Sequence, residues 1–226
     1  EEEGYDGYNQ WKVTEDNLEE VIAQLEFPGQ WVAESFIPFE REISFIAARA
    51  SDGPVSFYPV AQNDHHHGTL LTSLIPAPDL AQDQEEAAHQ YIRSICGATD
   101  YVGVICMECF VWQGKVLVNE IAPRVHNSGH WTSHGADTSQ FENHVRAVLD
   151  LPLGSTANHG ISGMLNLLGA TLTAAESVDE NTYLTLYGKT TKPRRKLGHI
   201  TVNHPDQDLV IARVNELKQK VYGDDD

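Results

Sequence analysis

From Tyr101 to Val111 the chain is almost continuously apolar, Gln113-Gly114 follows as a turn, and Lys115 to Ile121 returns as a second strand. Two strands joined so tightly read as an antiparallel hairpin. The hairpin carries two acids, Glu108 and Glu120, each late in an otherwise apolar strand. A carboxylate in such a place costs several kcal/mol unless something cationic meets it. Oxygen ligands on neighbouring strands, with Asn119 adding a neutral oxygen, suit Mg²⁺, which takes one or two carboxylates and completes its shell with phosphate and water. The same spacing also fits two solvent-facing carboxylates at a sheet edge, and spacing alone does not separate the two.

The segment directly after Glu120 favours the metal. It supplies Arg124, His126, Asn127, the Ser128 hydroxyl and Gly129, whose missing side chain leaves its backbone open to a ligand. These are groups that bind oxyanions. His126, His130 and His134 recur every four residues, the spacing of a zinc face on a helix. Pro123, Gly129 and Gly135 argue against that helix. A second basic stretch, Lys189 to Lys196 with Lys192, Arg194 and Arg195, fits a solvated loop as charge runs usually do, but Pro193 and Gly198 hold it between strand-like Thr182 to Tyr187 and His199 to Val202, which favours a fixed phosphate clamp.

Composition narrows the classes. With 33 acids against 15 bases and a net charge of −18, the chain lacks the basic surface that nucleic acid requires. Its apolar runs stop well short of a membrane span, and no charged-then-apolar segment opens it. Three cysteines without a pairing pattern suggest a reducing compartment, hence the cytoplasm, and thiols that pack in the core. Cys106 and Cys109 form a CxxC in letters only, because residues i and i+3 of a strand point to opposite faces.

Helical spacing marks Asp16 to Leu25, capped by Asp16 with Glu19 three residues on; Asp83 to Cys96, through Ala88, Tyr91, Ile92 and Ile95; and Asp206 to Tyr222. Ser139-Gln140-Phe141-Glu142 is a capping box for a helix carrying Phe141, Val145, Val148 and Leu149, ended by Leu151-Pro152-Leu153-Gly154. Trp31 to Phe36 and Ser162 to Gly169 read as strands, and Glu42 to Ala50 with Val55 to Ala61 as a hairpin about Ser51-Asp52-Gly53-Pro54. The sum is an α+β fold.

The residues then carry a resemblance. Gly4-Tyr5-Asp6-Gly7, Glu34-Ser35-Phe36-Ile37-Pro38-Phe39-Glu40-Arg41-Glu42, Met107-Glu108-Cys109-Phe110, the string His126 to Thr132, and the string Tyr187-Gly188-Lys189 with Pro193, Arg195-Lys196 and Gly198-His199 together resemble the N5-carboxyaminoimidazole ribonucleotide synthetase family of ATP-grasp ligases. The resemblance covers nearly the whole chain. It implies an ATP-grasp fold with an antiparallel sheet and flanking helices, an ATP-grasp domain over 1–154, and a small β-rich C-terminal domain over 155–226.

It also implies roles. Gly4, Tyr5, Asp6, Gly7 and Gln10 would belong to the glycine-rich loop over the ATP phosphates, although Tyr8-Asn9 stands where the family usually has a basic residue and a glycine. Glu34, Ser35, Phe36 and Ile37 would read adenine through the backbone, Glu42 would take the ribose hydroxyls, and His65 would touch the nucleotide. Glu108 and Glu120 would hold Mg²⁺, with Asn119 beside them. Arg124, His126 and Asn127 would cradle bicarbonate, and His126 would move a proton. Asn127, Ser128, Lys189, Arg195 and Lys196 would bind 5-aminoimidazole ribonucleotide, with Lys192 as a further helper at its 5′-phosphate.

The implied reaction is ATP- and bicarbonate-dependent carboxylation of that nucleotide through carboxyphosphate, by a homodimer. Two other readings share features with it: a formate-dependent glycinamide ribonucleotide transformylase, with the same acid pair, and a non-catalytic nucleotide-binding module. Family members carry an α/β domain and two ATP-contacting lysines upstream of the glycine-rich loop, whereas this chain opens with Glu1-Glu2-Glu3. The expectation is therefore weak nucleotide binding and slow or absent turnover by the isolated chain.

Overall fold

A computed structural model describes residues 11–25, 29, 31–51, 53–173 and 178–223. Gly4, Tyr5, Asp6, Gly7 and Gln10, like Asp52 of the first turn, lie outside the described residues. Nine strands form one antiparallel sheet: β1 Arg41–Arg49, β2 Val55–Phe57, β3 Ala61–His66, β4 Thr69–Ile75, β5 Gly103–Trp112, β6 Lys115–Ala122, β7 Ile161–Leu168, β8 Thr182–Leu186 and β9 Lys196–His204. Their order is β6-β5-β1-β3-β4-β7-β9-β8, with β2 paired to β1. The described helices are α1 Leu18–Gln24, α2 Gln82–Ala98, α3 Thr132–Gly135, α4 Gln140–Val148 and α5 Gln207–Tyr222.

The central strands are buried on both faces, so they read as apolar runs. On β1, Ile43, Phe45 and Ala47 pack under α2 with Ala88, Ile92 and Cys96, while Ile46 and Ala48 face a cluster built on Tyr58, Trp131 and Met164. Strand β5 alternates in the same way, which sends Cys106 into the second cluster and Cys109 into the first. All three cysteines are free and buried. A third cluster packs Val210, Val214 and Leu217 of α5 on Leu165, Leu167 and Ile200 of β7 and β9. The close approach passes through Gly163, where an added Cβ would lie 2.6 Å from Val214 Cγ2 and 2.7 Å from Val210 Cγ1.

Two tight hairpins aim the site. Gln113 and Gly114 have φ of 50° and 72°, and His67 and Gly68 have 49° and 74°. Both are two-residue loops with positive φ at each position, whose twist matches that of the flanking strands.

Several sequence expectations change. Residues 31–36 form no strand: Val32 and Phe36 are exposed, so nothing buries one face of the segment. The strand returning from β1 is split into β2 and β3, because Pro59 has no N–H for a ladder bond. His65 and His66 are the last residues of β3. Asn17, not Asp16, precedes α1, and its side chain makes no cap bond. Helix α4 has its expected Ser139 cap, which accepts from the Glu142 N–H at 3.1 Å. Its inward face, however, is polar, with Gln140, Asn143 and Ala147 buried, while Phe141, Val145, Val148 and Leu149 are exposed. The C-terminal strands β7, β9 and β8 extend the same sheet.

Candidate active site

Strand register assembles a polar band on the face of the sheet that carries Trp131. Glu108 on β5 stands opposite Glu120 on β6 and, on its other side, opposite Ser44 on β1. A bulge follows Glu108, so Val118 and Glu120 have partners on β5 and Asn119 between them has none. Bulges re-aim side chains beside functional sites. One strand further, Asn63 on β3 pairs with Glu42 on one side and Ser73 on the other. Glu42, Asn63, His65, Glu108 and Asn119 line one small pocket. His65 Nδ1 makes a very short contact with the Glu42 carboxylate.

The loop after β6 closes the band from above. His126 Nε2 lies 3.4 Å from Glu108 Oε1, and its Nδ1 accepts from the Ser128 N–H at 3.3 Å. Ligand atoms of Glu108, Glu120 and His126 all lie within 4.8 Å of one another. Helix α4 holds this loop through Gln140, whose Oε1 accepts from the His126 N–H at 3.0 Å and whose Nε2 donates to the His126 carbonyl at 2.7 Å. Gln140 Nε2 also lies 3.1 Å from His130 Nδ1. Polar residues face inward on α4 because the buried His126 N–H needs an acceptor there, while the His126 carbonyl accepts from the Gly129 N–H at 3.1 Å as well as from Gln140. Gly129 is buried, and a Cβ would lie 2.5 Å from Ile46 Cδ1 and 2.6 Å from Gln140 Oε1. Its small size therefore serves packing, not the close ligand approach inferred from sequence.

Burial sets the charge states. It pushes the Glu108 carboxyl up to about 7, aided by the negative charges of Glu120 and Glu42 and opposed by His65 and Lys196. For His65 burial acts downward, but the hydrogen bond and charge of Glu42 outweigh it and the ring is raised above its ordinary value. Burial takes His126 down to about 3, with Arg124 and Lys196 adding to the effect. The His126–Glu108 contact is thus between a neutral ring and a carboxyl group. Burial thus works against the proton transfer at His126 that the sequence reading expects. Glu108, part-buried, and Glu120, exposed beside it on β6, place two carboxylates within reach of one ion. That donor set, with Asn119 adjoining, fits Mg²⁺.

The basic residues arrive from β9 and the segment before it. Lys196, the first residue of β9, acts electrostatically on Glu108, His126 and His130. Arg195 Nη1 donates to the Thr190 carbonyl at 3.3 Å and to its Oγ1 at 3.0 Å. Lys189 is exposed, with Nζ 5.2 Å above the Tyr187 ring. Arg194 Nη2 ties the segment to the β3–β4 turn, donating to the His67 carbonyl at 2.6 Å. Arg124 is exposed and donates to the Val125 carbonyl at 3.0 Å. Asn127 Nδ2 donates to Asn166 Oδ1 on β7 at 3.0 Å.

Glu34, Ser35 and Phe36 sit on the exposed stretch leading into β1, with Ile37 half-buried; Lys12 Nζ lies 4.0 Å above the Phe36 ring. The spaced histidines do not converge on a metal. His134 stacks on Tyr183 at 4.4 Å, and His130 lies 5.2 Å from His199, whose Nδ1 is 2.7 Å from Tyr187 Oη. Ser44, Asn63, Ser73, Asn166, Gln140 and His199 escape sequence reasoning. The available signal was a polar residue inside a buried strand, such as Ser44 between Ile43 and Phe45.

The sheet sets two carboxylates on adjacent strands and brings Lys196 of β9 toward them. The chain belongs to the ATP-grasp family, whose domain profile matches residues 1–141. Enzymes of that family use ATP and typically Mg²⁺. The profile of the phosphoribosylaminoimidazole carboxylase C-terminal domain matches residues 162–213.

Within the family the chain is similar to N5-carboxyaminoimidazole ribonucleotide synthase. It is 46% identical over 232 residues to the synthase of Vibrio vulnificus (strain YJ016), covering 97% of this chain and 60% of that protein. The crystal structure of the synthetase from Thermus thermophilus superposes with a TM-score of 0.81 at 47% identity, covering 84% of this chain and 53% of that one. That of the Aspergillus clavatus synthase in complex with ADP and 5-aminoimidazole ribonucleotide gives 0.75 at 32% identity, covering 82% and 52%. The chain thus spans about 60% of the length of the curated relatives it matches. Among the described residues no helix is long and apolar enough to cross a membrane.

Proposed function

We propose that this chain carries the metal-, nucleotide- and substrate-binding centre of a cytoplasmic ligase. The reaction converts 5-aminoimidazole ribonucleotide, ATP and bicarbonate to N5-carboxyaminoimidazole ribonucleotide, ADP and phosphate. The observation that carries this reading is the register of Glu108 against Glu120, capped by His126 and reached by Lys196.

A bicarbonate oxygen attacks the γ-phosphorus of ATP, ADP leaves, and carboxyphosphate results. Carboxyphosphate breaks down to CO₂ and phosphate, and the exocyclic amine of the substrate takes the CO₂ and loses a proton. Little covalent work falls to the protein, so positioning and charge stabilisation dominate. Glu108 and Glu120, with Asn119 adjoining, would hold Mg²⁺, which would supply positive charge to the ATP phosphates. Glu42 and His65 meet the nucleotide, and Glu34 to Ile37 with the glycine-rich loop complete its site. His126, neutral and a hydrogen-bond donor, joins Arg124 and Asn127 around bicarbonate. Ser128, Lys189, Arg195 and Lys196 hold the substrate, and excluded water protects carboxyphosphate. Division near residue 154 into an ATP-grasp unit and a C-terminal unit, and assembly as a homodimer, belong to the same proposal. The outward apolar face of α4 is available to such a contact.

The test is ADP formation with Mg·ATP and bicarbonate, with and without 5-aminoimidazole ribonucleotide, in the chain and in Arg195→Ala. Slow ADP formation that the nucleotide stimulates and Arg195→Ala abolishes is the expected result, and silence with every substrate would mark the chain as an incomplete catalytic unit. Stimulation by glycinamide ribonucleotide with formate instead would replace this reading.

A further inference from the structure

Under the candidate site runs a row of buried polar side chains, of which the steps above use only Ser128. Ser73 Oγ on β4 donates to Asn63 Oδ1 at 2.8 Å, Asn63 Nδ2 on β3 donates to Ser44 Oγ at 3.0 Å, and Ser44 Oγ on β1 donates to Ser128 Oγ at 2.8 Å. Ser128 Oγ lies 2.9 Å from His126 Nδ1. Ser44 and Ser128 are wholly buried, and Asn63 and Ser73 nearly so. Buried polar groups of this kind must satisfy one another.

The row has a direction. An amide nitrogen only donates, so Ser44 Oγ receives from Asn63 and passes its own proton to Ser128. Ser128 Oγ, already receiving, has two places for its single proton: Cys106 Sγ at 4.0 Å, a weak acceptor, and His126 Nδ1. The backbone N–H of Ser128 is aimed at the same Nδ1. Turning the Asn63 amide over would reverse every bond and bring a proton on Nδ1 against that N–H.

We propose that the row Ser73–Asn63–Ser44–Ser128 sets the tautomer of His126, holding its proton on Nε2 as a donor toward Glu108 and toward an oxyanion bound there. A ring nitrogen that carries a proton does not ligate a cation. The cluster of Glu108, Glu120 and His126 therefore divides into a two-carboxylate metal pair and a neutral hydrogen-bond donor. Ser44, Asn63 and Ser73 act as positioning residues. The inference deepens the proposed reaction, and its test does not depend on turnover.

Long-range ¹H–¹⁵N correlation spectra of the chain labelled in its imidazoles read the tautomer directly, with the His126 signals assigned by their loss in His126→Gln. The expected pattern is a pyridine-type Nδ1 and a pyrrole-type Nε2, unchanged by saturating Mg²⁺ and ATP. Ser44→Ala cuts the row and is expected to leave a mixture of tautomers. Asn63→Asp replaces the donor with an acceptor, draws the Ser44 proton back and is expected to shift His126 toward Nδ1–H. A pyrrole-type Nδ1 in the unsubstituted chain, a metal-ligated Nε2, or an unchanged tautomer in both variants would each overturn the proposal. A correct tautomer pattern in a chain that forms no ADP would leave the row standing and remove only the reading of the reaction.

Discussion

Glu108 is where the physical tension of the molecule concentrates. Its carboxyl is pushed up to about 7, so between the ordinary carboxylate range and neutrality the folded chain binds a proton there that the unfolded chain has released. Stability from this group is therefore present at low pH and lost as pH rises through about 7, by on the order of 3 kcal/mol. Glu108→Gln is expected to raise the metal-free melting temperature at pH 8 and to abolish any shift that Mg²⁺ produces. A lower melting temperature with the Mg²⁺ response intact would contradict the metal assignment. His126, His130 and His199, held by burial near 3, 4 and 3, act with the opposite sign. The unfolded chain protonates them below about 6.5 while the folded one does not, so their contribution is lost as pH falls through that value. Glu108 adds stability as pH falls over the same window, so the test uses Glu108→Gln, in which the urea midpoint should drop steeply between pH 7 and pH 5; a flat profile there would mean that these rings charge in place. At Gly129, where a Cβ meets both Ile46 and Gln140, Gly129→Ala is expected to cost roughly 1–3 kcal/mol in urea unfolding.

Elements turn these residues into a site, and here the sequence is legible in some places and opaque in others. The β5–β6 hairpin is readable because an apolar run, Gln113-Gly114 and a second run allow one local solution. Helix α5 and the Ser139 cap of α4 are readable for the same local reason. The orientation of α4 is not: its apolar stripe suggests an inward face, yet Gln140 and Asn143 face in because the His126 loop and Gly154 need hydrogen bonds. That need is created by tertiary structure and leaves no periodic trace. Nor is the polar band readable beyond Glu108 and Glu120, since Ser44, Asn63, Ser73 and Asn166 meet only once distant strands have paired. Gln140→Leu, which strips partners from the His126 N–H and carbonyl, should destabilise by about 2 kcal/mol or more, whereas Val145→Lys on the outer face should change stability by under about 0.5 kcal/mol. Chemical denaturation of the two variants checks the orientation, and the reverse ranking would refute it.

At the scale of the whole molecule, one sheet brings the carboxylates of β6, β5 and β1 and a lysine of β9 toward one centre. Strands β6, β5, β1 and β3 present Glu120, Glu108, Glu42 and His65, and β9 brings Lys196 toward the same centre from the opposite side of the strand order. In a chain of net charge −18, Lys196 is thereby the base that acts on Glu108, His65 and His126 together. The most direct test of that arrangement is calorimetric titration with ATP, with and without Mg²⁺, in the unsubstituted chain and in Glu120→Gln. ATP binding that requires Mg²⁺ and weakens by about tenfold or more in Glu120→Gln is the expected result. Binding indifferent to both the metal and the substitution would contradict the assignment of Glu108 and Glu120 as the centre of a nucleotide-binding site.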